Sequence, residues 1–337
     1  MDITPLDAHD EAALAEWHAA YEAADVFERP HAAPWRLPEM RADLTHRRTG
    51  ESMAPWVGTD DGVVVCCGLL VLPLKDNLQL ALVRVWTPPD HRRRGYGGAM
   101  LAHLEAEAAK AGRTRLASDA HTPYDGPENG AGHPDADFAY RRGWTFDMCD
   151  IVRVVPLPVD VELLEGLVAE SAPHHTDYTL LQFSGAVPQE IVVGFGELVG
   201  SLMVEAPMGE LELEAEVLDE ERIRTDEAAL EAAGRTKYTT VALDRDSTPV
   251  AYSELVVPHH DPGPVFQWGT LVHPDHRGHR LGMATKAANL AWVQREAPDR
   301  NRVYTMNAEV NAQMIAINQT LGFEAVERHV ALLKRQD

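Results

Sequence analysis

The chain has 337 residues, 45% of them hydrophobic and 25% charged, which is the balance of a folded protein long enough for two domains. A formal charge of −23 argues against nucleic acid as a partner, and no apolar run approaches the ~20 residues of a membrane span. Three cysteines, two of them adjacent at Cys66 and Cys67, make no disulfide framework, and the acidic N-terminus lacks the features of a signal peptide, so a reducing, cytoplasmic setting is expected.

In chain order, 10–25 read as a helix with Leu14, Trp17 and Tyr21 on one stripe, and a second helix follows around "LPEMRADLTHRR". "APWVGTDDGVVVCCGLLVLPL" predicts two strands joined at Asp-Asp-Gly, and "LQLALVRVWTPP" a third. A helix opening near Gly95 turns Leu101, Leu104 and Ala108 inward and stops at Gly112. A strand at "TRLASDA", a Gly/Pro/Asn-rich loop and "DFAYRRGWTFDMCDIVRVVPL" complete the first half. After a proline-punctuated connection the order repeats: strand "YTLLQFSG", two helices, a hairpin turning at "DRDS", strand "PVFQWGTLVHP", a helix over 281–296, strand "RVYTMNAEV", a short helix and a closing strand. This is an internal duplication of a small α/β unit. The expected domains are 1–156 and 177–337, with 157–176 between them.

The chemistry concentrates where a strand meets a helix. In "VRVWTPPDHRRRGYGGAML" two prolines set a turn and the helix opens among glycines. A helix start leaves its first amides without acceptors, and its dipole favours an anion. Gly95, Gly97 and Gly98 let a phosphate come close to those amides, and Arg92, Arg93 and Arg94 add charge. The pattern is not a P-loop, which needs Gly-Lys-Ser/Thr, nor a dinucleotide fingerprint, which needs a parallel βαβ unit.

Arg92-Arg93-Arg94-Gly95-Tyr96-Gly97 resembles in full the acyl-coenzyme A loop of the GNAT (GCN5-related N-acetyltransferase) superfamily, Arg/Gln-x-x-Gly-x-Gly/Ala. Arg277-Gly278-His279-Arg280-Leu281-Gly282 matches it except at Arg280, where helical backbone is expected to suit an arginine; Met283 follows in the same helix start. "NAQMIAINQTLGF" is similar to the family's Asn-x-x-Ala-x-x-x-Tyr-x-x-x-Gly-Phe, with Met314 for Ala and Asn318 for the general-acid Tyr. In the first half that tyrosine position falls on Ala139, with Tyr140 one place along. The resemblance implies two tandem GNAT folds, each a mixed, mostly antiparallel sheet flanked by helices. It implies that the strands Leu82 to Val85, with Val83 and Val85, and Thr270 to Val272, with Leu271, pair with the pantetheine arm of acetyl-CoA, that the loops hold its diphosphate, and that Asn311 lies near the arm.

On that basis the expected activity is acetyl transfer to a primary amine of a small molecule, releasing coenzyme A, by a monomer or homodimer that binds no metal, nucleic acid or membrane. A mycothiol-synthase-like enzyme and a non-catalytic coenzyme A sensor or scaffold are the alternatives. Amine attack on a thioester needs a base, a stabilised oxyanion and a proton for the thiolate. Glu254, Glu309 and Tyr140 are the catalytic candidates, with Tyr304 and Asn307 as substrate or water positioners. Asp119, His121 and Tyr124 could line an acceptor pocket. The histidine pairs at 174–175 and 259–260 lack metal-ligand spacing.

Overall fold

The computed structural model of the protein describes residues 1–205, 209–211 and 213–336. It forms two compact units, Met1–Cys149 with Arg328–Asp337, and Asp150–Glu327. The expected boundary at 156 therefore falls inside the second unit. The chain's last residues, expected to close the second half, belong to the first.

Unit 1 begins with β1 (Asp2–Pro5), α1 (Glu11–Asp25) and α2 (Leu37–Thr45). The Asp10 carboxylate caps α1 by accepting from the Ala12 and Ala13 amides, and Leu14, Trp17 and Tyr21 form its buried stripe as the pattern predicted. β2 (Glu51–Asp60) and β3 (Val63–Pro73) make the expected hairpin. Its turn puts Asp61 at φ 48° and Gly62 at φ 78°, the pair of positive angles that matches the twist of the strands. Then come β4 (Leu80–Trp86), α3 (Tyr96–Lys110), β5 (Arg115–Pro123), α4 (Pro134–Tyr140) and the start of β6 (Thr145–Pro156). The strand order in this unit is β1-β2-β3-β4-β5-β12, where β12 (Glu324–Arg335) is the last strand of the chain. Val330 and Leu332 of β12 pack in one core with Met100, Leu104 and Trp144. Burying two such side chains is worth about 1.5–3 kcal/mol each, which ties the end of the chain to this unit.

Unit 2 takes up the remainder of β6, which pairs antiparallel with β11 (Arg302–Ala308) from Arg302↔Pro156 to Ala308↔Asp150. Between them run α5 (Val161–Ser171), β7 (Thr179–Ser184), α6 (Val192–Gly200), α7 (Leu202–Glu205), α8 (Glu220–Ala232), β8 (Arg235–Leu243), β9 (Pro249–Pro258), β10 (Pro264–Val272) and α9 (Leu281–Glu296); α10 (Ala312–Thr320) follows β11. The order is β6-β11-β10-β9-β8-β7. The segment read as a connection thus holds a helix. Leu164 and Leu167 of α5 join Leu255, Leu290 and Val303 in the core, and the Asp160 side chain caps the helix at the Glu162 amide. Among the described residues no helix is long and apolar enough to cross a membrane.

Candidate active site

In unit 1, β4 and β5 run parallel and pair only from Leu80↔Arg115 to Leu82↔Ala117. Beyond that point the two strands part. Val83 turns into the core, fully buried, while Arg84, Val85, Trp86 and Thr87 line a cavity of about 720 Å³. This is the size range of small-ligand sites. The same cavity receives Arg92, Arg93, Gly95, Tyr96, Gly97 and Gly98 from the loop and the start of α3. Arg94 is exposed and outside the lining.

The loop is held by its own chemistry. Arg92 donates through Nε to the Thr87 carbonyl at 3.2 Å, lies 3.5 Å from Asp135 and covers the Phe27 ring. The Tyr96 hydroxyl donates to Asp60 at 2.5 Å, a bond that holds the Asp60 carboxyl below its usual range. Gly95, the N-cap of α3, has φ 91°. A Cβ on Gly97 would come within 3.0 Å of Thr87 Oγ1, and one on Gly98 within 2.7 Å of Arg142 Nη2. Glycine at these two places keeps open the approach to the first-turn amides. The residues present fit a diphosphate: the amides of a helix start beside the guanidinium groups of Arg92, Arg93 and Arg142.

On β5, where the strands part, the carboxylate of Asp119 meets Arg84, and both line the cavity with His121. Burial raises the Asp119 pKa, but Arg84, His329 and His121 outweigh it and hold the carboxyl well below the usual carboxylate range. The sequence reading had placed Asp119 and His121 at an acceptor pocket. It missed Arg84, although that residue lies within the strand it singled out, and His329, some two hundred residues downstream with no local signal. Tyr124 is exposed, its ring under Arg328, and is not part of the lining. Tyr140 is also outside the lining; its hydroxyl donates to the Asn129 carbonyl, and burial raises its pKa.

Unit 2 repeats the backbone with different contents. β10 and β11 pair in parallel from Pro264↔Arg302 to Phe266↔Tyr304 and then part, and β10 bulges against β9 between Gln267 and Thr270. Leu271 is buried in the core and Val272 half-buried. Arg277 is bound to Glu205 at 2.8 Å and Arg280 to Glu170 at 2.5 Å, while His279 Nδ1 lies 3.1 Å from the His174 carbonyl. Gly278 has φ 89°. Arg280, the N-cap of α9, has φ 54° and ψ 18°, so the expected helical backbone there is wrong. Its backbone is left-handed, like that of Gly95, at a cost of about 1–2 kcal/mol for a residue with a Cβ. Leu281 and Gly282 are buried, and Met283 is half-buried against the core.

The side chain of Asn311 accepts from the Met314 amide and caps α10. At the general-acid position, Asn318 is fully buried; its Oδ1 accepts from Lys286 and its Nδ2 donates to Asn307 Oδ1, which also accepts from Arg153. Burial first, then the Arg153 charge, pushes the Lys286 ammonium down to about 7. Glu254 is buried on β9 and ion-paired with Lys237 at 2.7 Å. Glu309 is exposed in the turn after β11, and Tyr304 is buried with its hydroxyl accepting from Arg302 Nε at 3.0 Å. The three catalytic candidates therefore stand apart: Tyr140 in unit 1, Glu254 and Glu309 on different elements of unit 2.

Residues 14–125 match the profile of the acetyltransferase (GNAT) family. No curated protein matches the sequence. Among solved structures the chain is similar to a tandem GNAT protein from the clavulanic acid biosynthesis pathway, determined without acetyl-CoA, with a TM-score of 0.81 and 29% identity over 99% of this chain and 98% of that one. It shares its fold with a GCN5-related N-acetyltransferase from Sphaerobacter thermophilus, at TM-score 0.62 and 13% identity over 99% and 95% of the two chains. The GCN5-related N-acetyltransferase from Kribbella flavida is similar at TM-score 0.50 and 14% identity, over 95% and 96%. With the loop and the parted strands present in both units, residues 14–125 carry a GNAT-family acetyltransferase domain, and the chain along 99% of its length is similar in fold to a tandem GNAT protein.

Proposed function

We propose that the protein is an acetyl-CoA-dependent N-acetyltransferase acting on a primary amine of a small molecule, with unit 1 carrying the turnover. The observation that supports this best is a cavity of unit 1 into which the loop, the parted strand β4 and the Arg84–Asp119–His121 cluster all open together. Acetyl-CoA supplies an activated thioester. The amides at the start of α3, with Arg92 and Arg93, hold its diphosphate; the free backbone edge of β4 after Leu82 aligns its arm. Asp119 and His121 stand at the acceptor end, where the ammonium must lose its proton before attack. Tyr140, Glu254 and Glu309 stay as acid–base candidates of lower rank, because none of them lines this cavity. The pathway named for the 29%-identical tandem protein supports a small acceptor over a protein one.

In unit 2, Glu205 and Glu170 neutralise the two loop arginines that would meet a diphosphate. The reading is therefore of one tight coenzyme site per chain. Calorimetry with acetyl-CoA, followed by thiol release across an amine panel, tests it. One site near micromolar affinity and amine-dependent thiol release are expected; neither binding nor a melting shift with acetyl-CoA would sink it.

A further inference from the structure

Asp119 and His121 are two residues apart on β5, so they project from one face of the strand, and His329 comes from β12, the neighbouring strand of unit 1. Arg84 takes Oδ1 of Asp119. Oδ2 faces two imidazoles: His121 Nε2 at 3.9 Å and His329 Nε2 at 3.6 Å. The rings lie 5.0 Å apart between centroids at 67°, and one ligand atom from each of the three residues falls within 4.8 Å of the others.

At these separations, longer than the roughly 2.7–3.2 Å of a short N–H···O bond, the imidazoles act on the carboxylate through their charge and, for His329, a long hydrogen bond. The separations lie just outside the edge of roughly 3.3 Å that ligands at ~2.0–2.1 Å make around a tetrahedral ion. Closing on an ion requires side-chain rotations that draw all three ligand atoms, now within 4.8 Å of one another, together. The side chains are 12%, 24% and 17% exposed for Asp119, His121 and His329, so the cluster is partly sheltered yet open to solvent. Arg84 on the other carboxylate oxygen does what an outer-sphere partner does in a metal site, fixing the ligand's orientation.

We propose that Asp119, His121 and His329 bind a divalent transition-metal ion of the zinc class at the acceptor end of the unit 1 cavity, leaving a coordination position open. Two imidazoles and one carboxylate with a free fourth place is the donor set of a catalytic rather than a structural zinc. Where the acetyl-transfer reading holds, and only on that basis, an ion held by Asp119, His121 and His329 would supply a base beside the acceptor ammonium, which must lose its proton before attack.

The test uses untagged, chelator-stripped full-length protein without acetyl-CoA or amine. ZnCl2 is titrated by calorimetry and CoCl2 by visible absorption. The expected result is one ion per chain, a cobalt spectrum of low coordination number, and binding at least about tenfold weaker in both His121→Gln and His329→Gln. Circular dichroism confirms the fold of each variant, and either folded variant suffices. Binding unchanged in a folded variant, or no binding below millimolar metal, overturns the site. Zinc binding without turnover would retain the metal site and remove the acetyl-transfer reading, and turnover without zinc binding would do the reverse.

Discussion

The two strand-to-helix loops are one backbone written with two sets of residues. Both take positive φ at the second and fourth places after the strand turn: Arg93 at 62° and Gly95 at 91° in unit 1, Gly278 at 89° and Arg280 at 54° in unit 2. Each loop has glycine at only one of the two. The fold around the loop therefore imposes the left-handed angles, and sequence relieves them once per copy. The difference lies in what the arginines meet. In unit 1 Arg92 and Arg93 line a cavity, Arg92 with Asp135 3.5 Å away, while in unit 2 Arg277 and Arg280 meet Glu205 and Glu170 at 2.8 and 2.5 Å. Conservation of backbone geometry and conservation of ligand chemistry are separate properties, and this chain separates them.

Substituting into the cradle should break the comparison most severely. Gly97→Val places carbon atoms against Thr87 and Phe138 and blocks the amides. It is expected to weaken acetyl-CoA binding by about 100-fold or more, about 2.7 kcal/mol, whereas Gly282→Val, where a Cβ finds ordinary contacts of 3.4–3.5 Å, should leave calorimetric affinity and stoichiometry unchanged. Equal losses from the two would mean that both units bind.

Next in size is Asp119→Asn. Removing the charge that Arg84 and the imidazoles share should lower kcat/KM by about 10²–10⁴-fold while acetyl-CoA affinity holds. A loss confined to coenzyme affinity would place Asp119 outside the chemistry.

Glu170→Gln with Glu205→Gln tests unit 2 from the other direction. With Arg277 and Arg280 released, a second, weaker coenzyme site is expected by calorimetry. Exposed pairs of this kind contribute only about 0–1 kcal/mol each, so the melting temperature should move little. If no second site emerges, the ion pairs are not what keeps coenzyme from unit 2.

The smallest effect is one of pH. With a folded-state pKa near 7 against 10.5 for the exposed group, Lys286 is protonated in both states below about pH 7, where its burial cost is felt in full. Between pH 7 and 10.5 the unfolded chain binds more protons, so stability attributable to this group rises with pH. Thermal melts at pH 6.5 and 9 should show a rise in wild type that is smaller in Lys286→Met; identical slopes would show that Lys286 stays charged in the folded protein, its pKa not lowered.

Much was legible locally. The helix stripe at Leu14, Trp17 and Tyr21, the Asp-Asp-Gly hairpin and the two loops were visible because each is set by neighbours within a few residues. The short β1, α4 and α5 were not. β1 is four residues long, α4 lies in a Gly/Pro-rich run, and α5 sits in a stretch whose prolines suggested a connection. The left-handed angle at Arg280 was misread because the residue type alone does not report what the surrounding fold demands.

The sequence by itself determined the elements, the duplication and the cationic glycine loops, since periodicity, turn chemistry and capping act over one or two turns of chain. Only the tertiary structure decided that β12 belongs with unit 1, that His329 thereby meets Asp119 and His121, and that Glu170 and Glu205 reach the second loop. Those meetings join residues tens to hundreds of positions apart, and burial of side chains such as Val330 and Leu332, rather than any local preference, selects them.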